Sequence, residues 1–115
     1  MAKVFGIHEI ELRPGVTAEE FERFFTEAIA QLPPFQGWNF HLAKADRGAR
    51  AGKYALIFEI ESVEARNRYA PESGAPSEEA QREQARYAGV VEQWGKLATV
   101  PGSDTVFTDY VVVGK

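Results

Sequence analysis

Lys44-Ala-Asp-Arg-Gly-Ala-Arg-Ala-Gly-Lys-Tyr-Ala-Leu-Ile-Phe-Glu-Ile-Glu-Ser-Val-Glu-Ala-Arg66 holds the end of one strand, a turn, a second strand and the start of a helix. Tyr54 to Glu61 alternates large apolar side chains (Tyr54, Leu56, Phe58, Ile60) with a mixed set (Ala55, Ile57, Glu59, Glu61), the period of a strand with two different faces. Arg47 to Lys53, with Gly48 and Gly52, reads as a polar hairpin loop. Ser62 is placed to cap a short helix running to about Tyr69, which Pro71 ends.

Working outward, Trp38 to Ala45 is the strand paired across the hairpin, and Lys3 to Leu12 is an earlier strand. Between them Arg13-Pro14-Gly15 turns, and Thr17-Ala-Glu-Glu20 forms a capping box. The helix that follows carries Phe21, Phe25, Ala28 and Leu32 on one stripe and stops at Pro33-Pro34. Pro71 to Pro76 is the loosest segment. Ser77 then caps a long helix expected over residues 78–98, with Ala80, Gln84, Tyr87, Val91, Trp94 and Ala98 on its inner stripe. Gly89 and Gly95 inside it imply either close approach to a neighbour or an imperfect helix. Pro101-Gly102 ends it, and Thr105 to Val113 is the last strand. The order βαββαβ over one domain, residues 1–115, is the split βαβ arrangement of the ferredoxin-like α+β fold.

Parity divides the strands into faces. Trp38, Phe40 and Leu42, with the Tyr54 to Ile60 set, belong under the helices. Val4, Gly6, His8, Ile10 and Leu12 are assigned to the same side because the alternative set carries Glu9 and Glu11. In the last strand Val106, Thr108, Tyr110 and Val112 are assigned there too. Pairing that keeps Glu59 out of the core requires an odd hairpin loop of five or seven residues, or a bulge. The opposite face then gathers Phe5, Ile7, Ile57 and Phe107 with His41, Glu59 and Asp109. An apolar patch of that extent calls for a cover, and a twofold homodimer through this face supplies one.

The segments Lys44-Ala-Asp-Arg-Gly, Gly52-Lys-Tyr, Phe58-Glu-Ile-Glu-Ser-Val-Glu-Ala-Arg and Phe107-Thr-Asp-Tyr-Val-Val-Val resemble a group of short bacterial proteins without assigned function. The whole chain resembles the dimeric α/β-barrel superfamily, which includes cofactor-free monooxygenases, haem-degrading enzymes, muconolactone isomerases and stress-responsive proteins. The resemblance implies a homodimeric barrel and a pocket between sheet and helices in each subunit. If catalytic, the chain would be a cofactor-independent oxygenase or isomerase; the alternative is a stress-associated or accessory dimer without turnover. Fold by itself decides neither.

Two histidines are present. His8 with Tyr110 is the candidate catalytic pair: a base or hydrogen-bond donor beside a phenol that orients a ligand. Phe40, Phe58, Tyr87 and Trp94 are the candidate ligand-binding residues, an aromatic lining for an apolar or aromatic molecule. The same residues also make an ordinary core with a hydrogen-bonded histidine. His41, Glu59, Asp109 and Glu9 read as a polar seam at the dimer interface; no metal-ligand spacing such as His-Glu-x-x-His accompanies them, and no metal is expected. The helices contain no histidine to ligate haem, and no cofactor is expected.

Composition narrows the classes further. Cysteine is absent, which removes disulfides, thiolate nucleophiles and sulfur-ligated zinc. Net charge is −4, against nucleic-acid binding. Lys44, Arg47, Arg50 and Lys53 cluster around the hairpin, either to meet an anion or to keep a turn soluble. No phosphate loop or Gly-x-Ser-x-Gly elbow occurs. No run approaches the roughly 20 apolar residues of a membrane span, and Met1-Ala-Lys-Val-Phe has no signal-peptide pattern, so the expected location is the cytoplasm.

Overall fold

The computed structural model describes residues 2–32, 34–70, 77–85, 87–101 and 104–114. The Pro71 to Pro76 segment, Pro33 and Gly102, all named above as breakers, lie outside the described residues. Four strands, β1 (Val4–Ile10), β2 (Trp38–Lys44), β3 (Tyr54–Ile60) and β4 (Phe107–Val111), form one antiparallel sheet in the order β2-β3-β1-β4. With its helices on one side, this is the ferredoxin-like α+β arrangement. The sheet of a single chain is open, with β2 and β4 as its edges.

Register explains which faces are buried. Phe40 pairs with Phe58, and Asn39 with Glu59, so the carboxylate stays off the core side. The pairing continues past the strand ends to the 2.8 Å bond from Ala45 N–H to the Lys53 carbonyl, leaving residues 46–52 as a seven-residue loop. Gly48 and Gly52 take φ of 101° and 89°, values that favour glycine. In β1 the alternate residues Val4, Gly6, His8 and Ile10 are buried, as the parity argument requires.

The helices depart more from expectation. Thr17 caps α1 (Ala18–Phe24) by accepting from the Glu20 N–H, but the helix then widens into a π-helical turn over Phe25–Ile29, closed by Ala30 N–H to the Phe25 carbonyl. Phe24 is buried and Phe25 partly so, and both reach Trp94. Ser62 caps α2 (Val63–Tyr69) by accepting from Ala65 N–H. The long helix expected over residues 78–98 is two: α3 (Glu78–Ala85) and α4 (Ala88–Leu97). Tyr87, at φ −110° and ψ 4°, begins α4 from a non-helical conformation. Composition gives the reason. The first half, Glu-Glu-Ala-Gln-Arg-Glu-Gln-Ala, offers the core little besides Ala80, whereas the second brings Val90, Trp94 and Leu97. A Cβ at Gly89 would meet nothing within 4 Å, while one at Gly95 would touch Val100 at 3.4 Å, so close approach applies to Gly95 alone.

The core lies between α1, α4 and the sheet, around Phe21, Trp94, Ile10, Tyr54 and Leu56. Phe21 sits edge-on to both Tyr54 and Trp94, at 5.3 and 5.2 Å between ring centroids. Rings in this geometry gain beyond the area they bury. The Tyr54 hydroxyl donates to the Glu22 carboxylate, which ties α1 to β3. Burial, reinforced by that carboxylate, pushes the Tyr54 phenol up to about 12.

β4 faces the other way from the sequence reading. Phe107 pairs with His8, Asp109 with Gly6 and Val111 with Val4, so these three share the helix-side face. Thr108 and Tyr110 point outward beside Ile7 and Phe5. The strand is apolar on both faces, so its own pattern cannot fix its orientation; the register against β1 does. It is also shorter than expected, five residues in place of residues 105–113.

Candidate functional site

An apolar cavity of about 240 Å³ lies between the sheet and the helices. Its floor is Trp38, Phe40, Leu56 and Phe58 from β2 and β3; its roof is Tyr87, Val90, Val91 and Trp94 at the start and middle of α4. Ile29 from the π-helical turn, Leu32, Pro34, Phe35, Val100 and Pro101 complete the lining, and the cavity is partly open to solvent. All four residues expected to bind a ligand, Phe40, Phe58, Tyr87 and Trp94, border it. Strand parity and helix spacing place Phe40, Phe58, Tyr87 and Trp94. They do not place Ile29, Val90 or Val100: the first depends on a π turn, the second on where α4 starts and the third on where it ends, none of which propensity announces.

Both indole N–H groups of the wall are already engaged. The Trp94 indole N–H donates to the Thr99 carbonyl at 2.7 Å, and that of Trp38 to the Ala65 carbonyl at 3.0 Å. No carboxylate, imidazole or amine occurs among the described lining residues. Such a surface selects by shape and apolar contact.

His8 is not in the lining. It lies one ring behind it, 9% exposed, edge-on to Phe58 at 5.3 Å and stacked on Phe107 at 4.9 Å. Its Nδ1 is 3.0 Å from the Thr105 hydroxyl. Burial lowers its pKa below the usual imidazole value, and the negative charge of Asp109 opposes this in part. Tyr110 is on the opposite face of the sheet, so the expected His8–Tyr110 pair does not form. β4 register is the reason.

The His41, Glu59, Asp109 and Glu9 constellation also divides. On the outer face Glu59 accepts from Lys3 at 2.7 Å and lies 3.3 Å from the His41 ring; these bonds hold its carboxyl below the usual range. Glu9 pairs with Arg50 at 3.2 Å. Asp109 stands on the helix side, bound to Arg66 of α2 at 3.1 Å, and a Cβ at Gly6 would come within 2.8 Å of its Oδ1. Phe107 and Asp109 therefore leave the face assigned to the dimer, whereas Phe5, Ile7, His41, Ile57 and Glu59 remain on it. Among the described residues no group of three potential ligands is placed to hold a metal.

The basic hairpin is matched by acids. Arg50 contacts Glu11 at 2.7 Å and donates to the Ile10 and Tyr54 carbonyls, and Lys53 reaches Glu11 at 2.9 Å. Hydrogen bonds from Arg50 and then Lys53 hold the Glu11 carboxyl below its ordinary value. The charges pin the loop to the end of β1, and no anion is needed to balance them. Among the described residues no helix is long and apolar enough to cross a membrane.

No family model matches the chain, and no curated protein matches it. Among solved structures it is similar to a dimeric protein of unknown function with a ferredoxin-like fold from Bacteroides fragilis, at 15% identity and a TM-score of 0.47, over 96% of each chain.

Proposed function

We propose that the protein binds a small, uncharged, largely aromatic molecule in the sheet–helix cavity of each subunit of a homodimer. The cavity itself carries this reading: about 240 Å³ walled by aromatic and aliphatic side chains. An enclosed apolar cavity of about 150 Å³ suffices for benzene, and this partly open one has room for one or two rings. Binding without turnover fits the wall best. The cofactor-independent oxygenase or isomerase implied by the resemblance needs a proton acceptor at the cavity, and the described lining offers only the Tyr87 hydroxyl.

Trp38 and Trp94 are the only two tryptophans, and both border the cavity. Intrinsic emission therefore reports on it directly. Titration with naphthoquinone, naphthol or toluene is expected to change that emission saturably and to raise the melting temperature as ligand exceeds Kd. Linear, unsaturable quenching with no thermal shift for all three sinks the reading.

The homodimer rests on exposed apolar surface. Phe5, Ile7 and Ile57 share the outer face with Tyr110, which is 57% exposed, and β4 is an uncovered edge. An edge strand with large apolar side chains invites pairing. Light scattering should give twice the 12.8 kDa chain mass; a monomer at all accessible concentrations overturns the assembly and leaves the cavity untouched.

A further inference from the structure

We propose that His8 is a positioning residue for the cavity: from behind the wall it fixes the Phe58 ring, and through that ring couples the cavity to its own protonation. This rests on the binding role assigned to the cavity above. A relay of rings carries it. His8 on β1 meets Phe58 on β3 edge-on at 84°, and Phe58 meets Trp38 on β2 at 5.4 Å and 72°. Phe58 and Trp38 are cavity wall; His8 is not.

The neutral imidazole suits its place, between the Phe58 ring, nearly perpendicular to it, and the Phe107 face, with Nδ1 at the Thr105 hydroxyl. The imidazolium has other requirements. It needs a counter-charge, and among the described residues the charge that acts on it is that of Asp109 on β4, already paired with Arg66 on α2. Protonation therefore draws the ring toward Asp109, against Arg66, and away from Phe58. Burial keeps His8 neutral at neutral pH and places the transition below the ordinary imidazole value. Acid then loosens the wall, and a ligand that requires the wall intact holds His8 neutral in return.

Two measurements test this, one of them without ligand. In the free protein, tryptophan emission is expected to titrate with a midpoint below about 6.5. His8→Phe, which keeps a ring in place but cannot protonate, should abolish that transition, while His41→Gln on the outer face should retain it. Naphthoquinone affinity should fall at least about fivefold between about pH 7.5 and about pH 5 in the wild type and stay flat in His8→Phe. A transition that is absent from the wild type, or unchanged in His8→Phe, overturns the coupling. If none of the three probes binds at neutral pH, the cavity reading fails, and the ligand-free titration still decides the role of His8.

Discussion

Phe21→Ala is expected to lower the unfolding free energy by about 3–5 kcal/mol, the usual cost of deleting a buried aromatic ring. Phe21 is fully buried and is the ring on which α1, β3 and α4 converge. Its removal opens a void next to an existing cavity, with Trp94 and Tyr54 each losing an edge contact. Collapse is hindered on two sides: Trp94 is tied to the Thr99 carbonyl and Tyr54 to Glu22. A domain of this kind is stable by only about 5–15 kcal/mol, so the variant should unfold at a much lower urea midpoint with little change in slope. A loss below about 1 kcal/mol would mean that the surrounding rings close the gap, contrary to the tethering described.

Val90→Phe is expected to weaken ligand binding at least tenfold, about 1.4 kcal/mol. Val90 is in the roof of the cavity, and an added ring occupies the space proposed for a ligand ring. The melting temperature should hold or rise, because atoms lining a void regain missing contacts. These two readouts separate filling from damage: overpacking lowers both affinity and melting temperature. Affinity unchanged within twofold would place the ligand elsewhere.

Much of the fold is legible from the chain because β2 and β3 have unlike faces, while β1 is oriented only by the acids of its outer set. Tyr54, Leu56, Phe58 and Ile60 against Ala55, Ile57 and Glu59 admit one orientation, and the capping residues Thr17 and Ser62 mark the helix starts they cap. β4 lacks this contrast: Phe107, Asp109 and Val111 are no more core-like than Thr108 and Tyr110. Its facing follows from pairing with a strand about a hundred residues earlier, which local pattern does not encode. The candidate site divides accordingly. The aromatic wall was readable from strand parity and helix spacing. The catalytic pair was not, since it needed β4 in the wrong register, and the Arg66–Asp109 contact needed the close approach over Gly6.

The central position of β1 has a consequence for how the molecule assembles. The first of the four strands in sequence is flanked by the third and the fourth, so Val4 must find Ile60 on one side and Val111 on the other. Neither partner is local. Loop closure over such distances precedes any reward from pairing, which slows folding relative to helical bundles rich in local contacts. On the ribosome β1 waits with both edges unpaired until β3 has emerged, and with one edge open until β4 follows about fifty residues later. Its apolar residues, Val4, Phe5, Ile7 and Ile10, are then a transient aggregation hazard. Glu9 and Glu11, at the end of this run, set negative charge beside it, the kind of residue that blunts aggregation of an unpaired strand, as well as pairing with Arg50.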